Sequence, residues 1–112
     1  MLTIQDHLIT LGFSEKYANI YLAILELGEA SVIEIAQKAG LKRTTVYNIL
    51  PDLLHRGLIK VTIKKGRRLF LIENVNPLKA ELEERVRLAD NILPELRAVQ
   101  NILPLKPRIT FY

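Results

Sequence analysis

The stretch Ser31-Val32-Ile33-Glu34-Ile35-Ala36-Gln37-Lys38-Ala39-Gly40-Leu41-Lys42-Arg43-Thr44-Thr45-Val46-Tyr47-Asn48-Ile49-Leu50 decides the reading of this chain. It opens with Ser-x-x-Glu, in which a serine hydroxyl and a carboxylate three residues later each accept a backbone N–H that a helix start leaves unpaired. Val32, Ile35 and Ala36 follow at the spacing of a buried helical stripe. Ala39-Gly40-Leu41 then supplies a stop, because glycine takes the left-handed conformation that closes a helix, and Leu41 plugs the core as the chain reverses. A second helix is expected at once, from about Arg43 to Arg56, with Val46, Ile49, Leu50, Leu53 and Leu54 on one face. Two helices joined by so short a turn make Ser31 to Arg56 a helix-turn-helix candidate.

Toward the N-terminus, Thr3 and Asp6 form another capping pair that predicts a short helix over Ile4 to Leu11. Ser14 caps a helix from Glu15 to Leu27, whose stripe Ala18, Tyr21, Leu22 and Leu25 is widened by Ile20, Ala23, Ile24 and Leu27, as in a helix at the centre of a domain. Toward the C-terminus, the apolar period changes after Gly57 from helical to alternating. Ile59, Val61 and Ile63 face one way, and Lys60, Thr62 and Lys64 the other. Gly66 reads as a hairpin turn and Arg68 to Ile72 as the returning strand. Asn76-Pro77 gives an N-cap followed by proline at the first helical position, and a long helix is expected from Pro77 to about Leu103.

This order predicts a mainly α fold with a small antiparallel β-hairpin, a winged helix-turn-helix over residues 1–74. A long C-terminal dimerisation helix over 75–104 and a tail over 105–112 follow it. The 112 residues give room for one such domain, and 49% hydrophobic with 25% charged residues suits a globular core. With no cysteine, disulfides and thiolate sites are excluded; with only His7 and His55, a histidine-built metal centre is not expected, nor is a cofactor. No apolar run approaches the roughly 18 residues of a membrane span, and the first residues lack the basic start of a signal peptide, so a cytoplasmic protein without membrane contact is expected.

Charge is unevenly placed. From Lys42 to Arg68 there are eight basic side chains and one acid, a net of +7 in 27 residues, so the other 85 residues carry −3 of the total +4. A basic block in a mildly acidic chain suggests a polyanion-binding face, and double-stranded DNA is the expected partner. On the recognition helix the candidates are Lys42, Arg43, Thr44, Thr45, Tyr47 and Asn48, with Asp52 and His55 a turn further on. Arginine matches the hydrogen-bonding edge of guanine and asparagine that of adenine, hydroxyls reach phosphates, and the helix N-terminus carries partial positive charge. On the hairpin tip, Lys64, Lys65, Arg67 and Arg68 surround one glycine, a density that suits the DNA backbone or the minor groove, though lysine also blunts exposed strand edges. The alternative is a winged-helix interaction module whose basic face binds an acidic protein partner. Pro51 lies within the recognition helix on its exposed side and predicts a bend there.

The long helix carries a seven-residue pattern. Val86, Leu93 and Gln100 fill one set of positions and Leu82, Ala89, Leu96 and Leu103 the other, which is the seam of a coiled coil and predicts a homodimer. Glu81, Glu83 and Glu84 alternate with Arg85 and Arg87 as solvated ion pairs, Ser14 and Ser31 are caps, and no nucleophile or acid–base constellation is present, so no enzymatic activity is expected.

Several strings resemble the N-terminal region of TrmB-type transcriptional regulators. They are Leu11-Gly12-Phe13-Ser14-Glu15-Lys16-Tyr17-Ala18, Tyr21-Leu22-Ala23-Ile24-Leu25-Glu26-Leu27-Gly28, Ala39-Gly40-Leu41 with Arg43-Thr44-Thr45-Val46-Tyr47, and Arg56-Gly57-Leu58-Ile59. The resemblance covers about Thr3 to Ile72 and, more loosely, the helix with Leu93-Pro94-Glu95-Leu96. It implies a dimer that binds operator DNA through Arg43, Thr44, Thr45, Tyr47 and Asn48, with Arg67 and Arg68 as wing contacts. Many such regulators add a sugar-sensing domain. Here Lys106-Pro107-Arg108-Ile109-Thr110-Phe111-Tyr112 resembles only its beginning, so no small-molecule effector is assigned.

Overall fold

Side-chain caps start the first three helices. The Thr3 hydroxyl accepts the Asp6 N–H at 3.1 Å while Asp6 accepts the Thr3 N–H at 2.9 Å, which opens α1, Ile4–Thr10. Ser14 Oγ accepts the Tyr17 N–H at 3.2 Å and opens α2, Glu15–Leu27. Ser31 and Glu34 exchange the same pair of bonds at 3.3 and 3.0 Å and open α3, Val32–Ala39. Gly40 closes α3 in the left-handed conformation (φ 68°), where a side chain would be strained, and the chain enters α4, Arg43–His55. Strands β1, Lys60–Lys64, and β2, Arg67–Leu71, form the hairpin, and α5, Asn76–Gln100, follows. This computed structural model describes residues 1–102.

By internal contact the chain divides into two units, residues 1–77 and the residues from 78 onward. The core of the first unit is made by Ile20 and Ile24 of α2, Ile35 of α3, Val46 and Leu53 of α4, Leu58 after α4, and Phe70 of β2. Each of these side chains is essentially inaccessible to water, so each contributes on the order of 1.5–3 kcal/mol of hydrophobic stabilisation.

The buried arc of α2 is narrower than the sequence suggests. It is centred on Ile20 and Ile24, so Leu25, one residue step of about 100° further round, is 39% exposed, and Leu27 at the helix end is exposed as well. The burial of β1 does not follow the expected alternation: Val61 and Ile63 are exposed and Thr62 is half-buried. Only Ile59 and Phe70 reach the core, and the outer half of the hairpin projects beyond it.

The strands pair from Lys60↔Leu71 to Lys64↔Arg67, leaving Lys65-Gly66 as a two-residue loop. Both loop residues have positive φ, 52° and 74°, as in the type I′ turn whose twist matches that of the strands it joins. An isolated β-bridge, absent from the sequence reading, joins Ala30 to β2. The Ala30 N–H donates to the Phe70 carbonyl at 2.9 Å and its carbonyl accepts the Phe70 N–H at 2.7 Å.

The recognition helix is unbroken through Pro51, which is exposed; the proline ring leaves one α4 carbonyl without its usual donor on the side facing water. Helix α5 begins at Asn76 rather than after it. The Asn74 side chain accepts the Asn76 N–H at 2.7 Å, which places the side-chain acceptor two residues earlier than the sequence implied. Its expected end at Leu103, and the tail over 105–112, lie outside the described residues.

Candidate nucleic-acid interface

Helix α4 is fixed from below and open from above. Val46, Ile49, Leu50 and Leu53 are buried, which turns Arg43, Thr44, Tyr47 and Asn48 outward, with Thr45 half-buried at the margin. Lys42 stands at the N-cap and is exposed. The first turn has no side-chain cap and no acidic residue, unlike the three helices before it, so no carboxylate in that turn offsets its partial positive charge.

Asp52 and His55 are exposed as expected, but Asp52 is engaged. Its carboxylate lies 3.5 Å from the Arg56 guanidinium, which in turn sits over the rings of Phe13, at 5.3 Å, and Tyr17, at 5.9 Å. Burial, followed by a hydrogen bond with Asp52, pushes the Tyr17 hydroxyl above its ordinary pKa. The sequence reading missed this clasp at the C-terminal end of α4, although Arg56 stands next to the Gly57 it did identify.

The wing separates its four cations into different environments. Lys64 Nζ is bound to the Glu29 carboxylate at 2.8–2.9 Å, and the Arg68 guanidinium lies 5.4 Å over the ring of Phe70. Lys65 and Arg67 are exposed, and no ion pair within 4.0 Å is formed by either among the described residues. Hydrogen bonds from Ser31 hold the Glu34 carboxyl below the usual carboxylate range, with a smaller contribution from the charge of Arg67. Lys60, at the base of β1, pairs with Glu73 at 3.2 Å.

One shallow depression unites these elements. Its lining comprises Ser31, Val32 and Ile33 at the start of α3, Tyr47 of α4, and Gly66, Arg67, Arg68 and Phe70 of the wing. The structure therefore brings the recognition-helix candidate Tyr47 together with the wing candidates Arg67 and Arg68 on one surface. Lys42, Arg43 and Asn48 do not line the depression. Among the described residues no cluster of histidine and acidic side chains could hold a metal ion, and no helix is long and apolar enough to cross a membrane.

In α5 none of the 25 residues is buried. Of the seam residues, Leu82 is half-buried, while Val86, Ala89, Leu93 and Leu96 are exposed, Val86 at 61% and Leu96 at 54%. Leu103 lies outside the described residues. Glu84 and Arg87 form an ion pair along the helix, as the charge pattern predicted.

Four helices, a two-stranded hairpin after the helix-turn-helix and a basic wing tip beside the second helix define a winged helix-turn-helix protein. Residues 8–77 match the profile of the sugar-specific transcriptional regulator TrmB, and the chain belongs to that family. An uncharacterized protein of Methanocaldococcus jannaschii is 43% identical over 68 residues, a match that covers 57% of this chain and 57% of that protein, so the matched part is little more than half of the relative's length. Among solved structures, a predicted DNA-binding transcriptional regulator from E. coli is similar with a TM-score of 0.55 at 20% identity, over 73% of this chain and 85% of that one. A MarR family transcriptional regulator from Silicibacter pomeroyi gives 0.56 at 13% identity, over 88% and 79% of the two chains. At such identities the likeness concerns the fold.

Proposed function

We propose that the protein is a sequence-specific regulator that binds double-stranded DNA as a homodimer. The observation that carries this reading is the shared surface of Tyr47, Arg67 and Arg68; Tyr47 belongs to the helix whose first turn no acid caps. Arg43 and Asn48 read base edges in the major groove, where their side chains can each make two hydrogen bonds to guanine and adenine respectively. Lys42, Thr44, Thr45 and Tyr47 fix the helix on the backbone, and Lys65, Arg67 and Arg68 hold adjacent phosphates or enter the minor groove. The exposed seam of α5, through Leu82, Val86, Ala89, Leu93 and Leu96, pairs two chains, and Leu103 continues the same pattern in the sequence. Two recognition helices then meet successive major grooves about 34–36 Å apart on a pseudo-palindromic site.

The role is one of binding and not of catalysis: the carboxylates of Asp6 and Glu34 are used as caps and that of Asp52 in an ion pair. No sugar is assigned to this chain. Selection of bound duplexes from a random pool tests the reading, with affinity followed against salt. A two-fold symmetric consensus, bound more tightly than scrambled duplex and weakened by salt, is the expected result. Absence of duplex binding at low salt rejects it in favour of an acidic protein partner for the same face.

A further inference from the structure

The wing is held by more than its own hairpin. The turn between α2 and α3 touches both of its strands. Ala30 exchanges two backbone hydrogen bonds with Phe70 of β2, at 2.7 and 2.9 Å. Next to it, Glu29 binds the Lys64 ammonium through both carboxylate oxygens, at 2.9 Å to Oε1 and 2.8 Å to Oε2. Lys64 is the last residue of β1 and stands opposite Arg67, immediately before the Lys65-Gly66 turn.

Apolar burial does not secure this outer part of the hairpin, since Ile63 is 70% exposed and Val61 is also exposed. The Glu29–Lys64 contact spans 35 positions of sequence and ties the tip of β1 to the segment from which α3 begins. The Lys64 ammonium is already met by a carboxylate, unlike Lys65 and Arg67.

We infer that Glu29 and Lys64 are positioning residues for the wing: their ion pair sets where Lys65 and Arg67 are presented, and Lys64 is not itself a phosphate contact. This deepens the DNA-binding reading and rests on it. Glu29 then supports binding although it carries the same sign of charge as DNA.

The test compares the full chain with Lys64→Met and with the exchanged pair Glu29→Lys, Lys64→Glu, which restores an ion pair at unchanged net charge. Two quantities are measured: affinity for the selected duplex as a function of salt, and the heteronuclear NOE of the Lys65 and Gly66 amides in the free protein. Lys64→Met is expected to weaken binding by about two- to fivefold, the size of an exposed ion pair, with an unchanged salt slope and a more mobile tip. The exchanged pair is expected to recover both affinity, to within about twofold, and tip order. An exchanged pair that binds more than about tenfold more weakly, with a salt slope lower by about one unit, makes Lys64 a phosphate contact and overturns the inference. So does a Lys64→Met protein whose tip is as ordered as that of the parent. Because the NOE arm needs no DNA, a parent protein that binds no duplex sinks the DNA reading separately, while the tip measurements still decide whether the pair orders the wing.

Discussion

The Arg56 guanidinium lies 5.3 Å over the ring of Phe13, so the residue that ends the recognition helix is held against the turn between the first two helices. Phe13 is buried and meets the Tyr21 ring edge-on at 5.7 Å, which carries the contact into the core. A cation over an aromatic face at a partly exposed site contributes about 0.5–1 kcal/mol. Arg56→Ala should therefore lower the unfolding free energy by about 1 kcal/mol, read from the urea midpoint. Arg56→Lys should recover only part of it, because an ammonium cannot stack as a planar guanidinium does. Equal stability of all three proteins would remove the clasp from the account.

Arg43 and Arg67 are both exposed basic residues, but they sit on different elements. Arg43→Ala should cost about 1–3 kcal/mol at one base position and relax preference there. Arg67→Ala should weaken all sequences alike and reduce the salt slope by about one unit. Binding curves on the consensus and on single-base variants separate the two effects. Equal loss of specificity from both substitutions would contradict this division.

The capping boxes give the fold an acid limit. Glu34 is held below its ordinary pKa by the backbone and side-chain hydrogen bonds of Ser31, and Asp6 likewise by those of Thr3. A carboxylate with a lowered folded-state pKa adds stability that is complete above its unfolded value and disappears as pH falls through the folded one. For Glu34 the unfolded reference is 4.5, so urea midpoints should be level at neutral pH and decline below that value. Glu34→Gln, which keeps the shape of the cap without the charge, should flatten part of the decline. An acid profile identical to that of the parent protein would show that this cap does not titrate with folding.

Leu93 and Leu96 stand exposed near the middle of the α5 seam, one turn apart. Against a partner helix both would be buried, and a charged replacement would cost more than the approximately 2–5 kcal/mol of truncation to alanine. Leu93→Glu combined with Leu96→Glu should give monomers by light scattering and reduce DNA affinity, because two linked half-sites bind far more tightly than one. The melting of the first unit should be unchanged, since its core uses Ile24, Val46 and Leu53. A double mutant that stays dimeric and folded would move the interface to α1 and its C-cap, where Ile4 and Leu11 are exposed.

The elements were legible because their signals are local. Ser-x-x-Glu at Ser31, glycine at 40 and the change of period after Gly57 each act within one turn of chain, and each appears in the structure where the sequence placed it. What stayed hidden depends on residues far apart in the chain. Nothing near Ala30 marks it as a bridge residue, because its pairing partner is Phe70. Nothing near Lys64 distinguishes it from Lys65, because the difference is made by Glu29. Leu25 misleads for the same reason: its spacing is that of a core residue, and only the position of the neighbouring elements leaves it in water.

On the dimeric reading, a 25-residue helix with no buried side chain also makes abundance a control variable. Most of a helix's stability in a protein comes from packing its apolar face rather than from propensity. On that reading the apolar seam of α5 is covered only when two chains meet, and encounters rise as the square of their concentration. Occupancy of a symmetric site then changes more steeply than the amount of protein synthesised. A cell could switch such a regulator by dilution during growth or by a modest change in its expression, with no ligand involved.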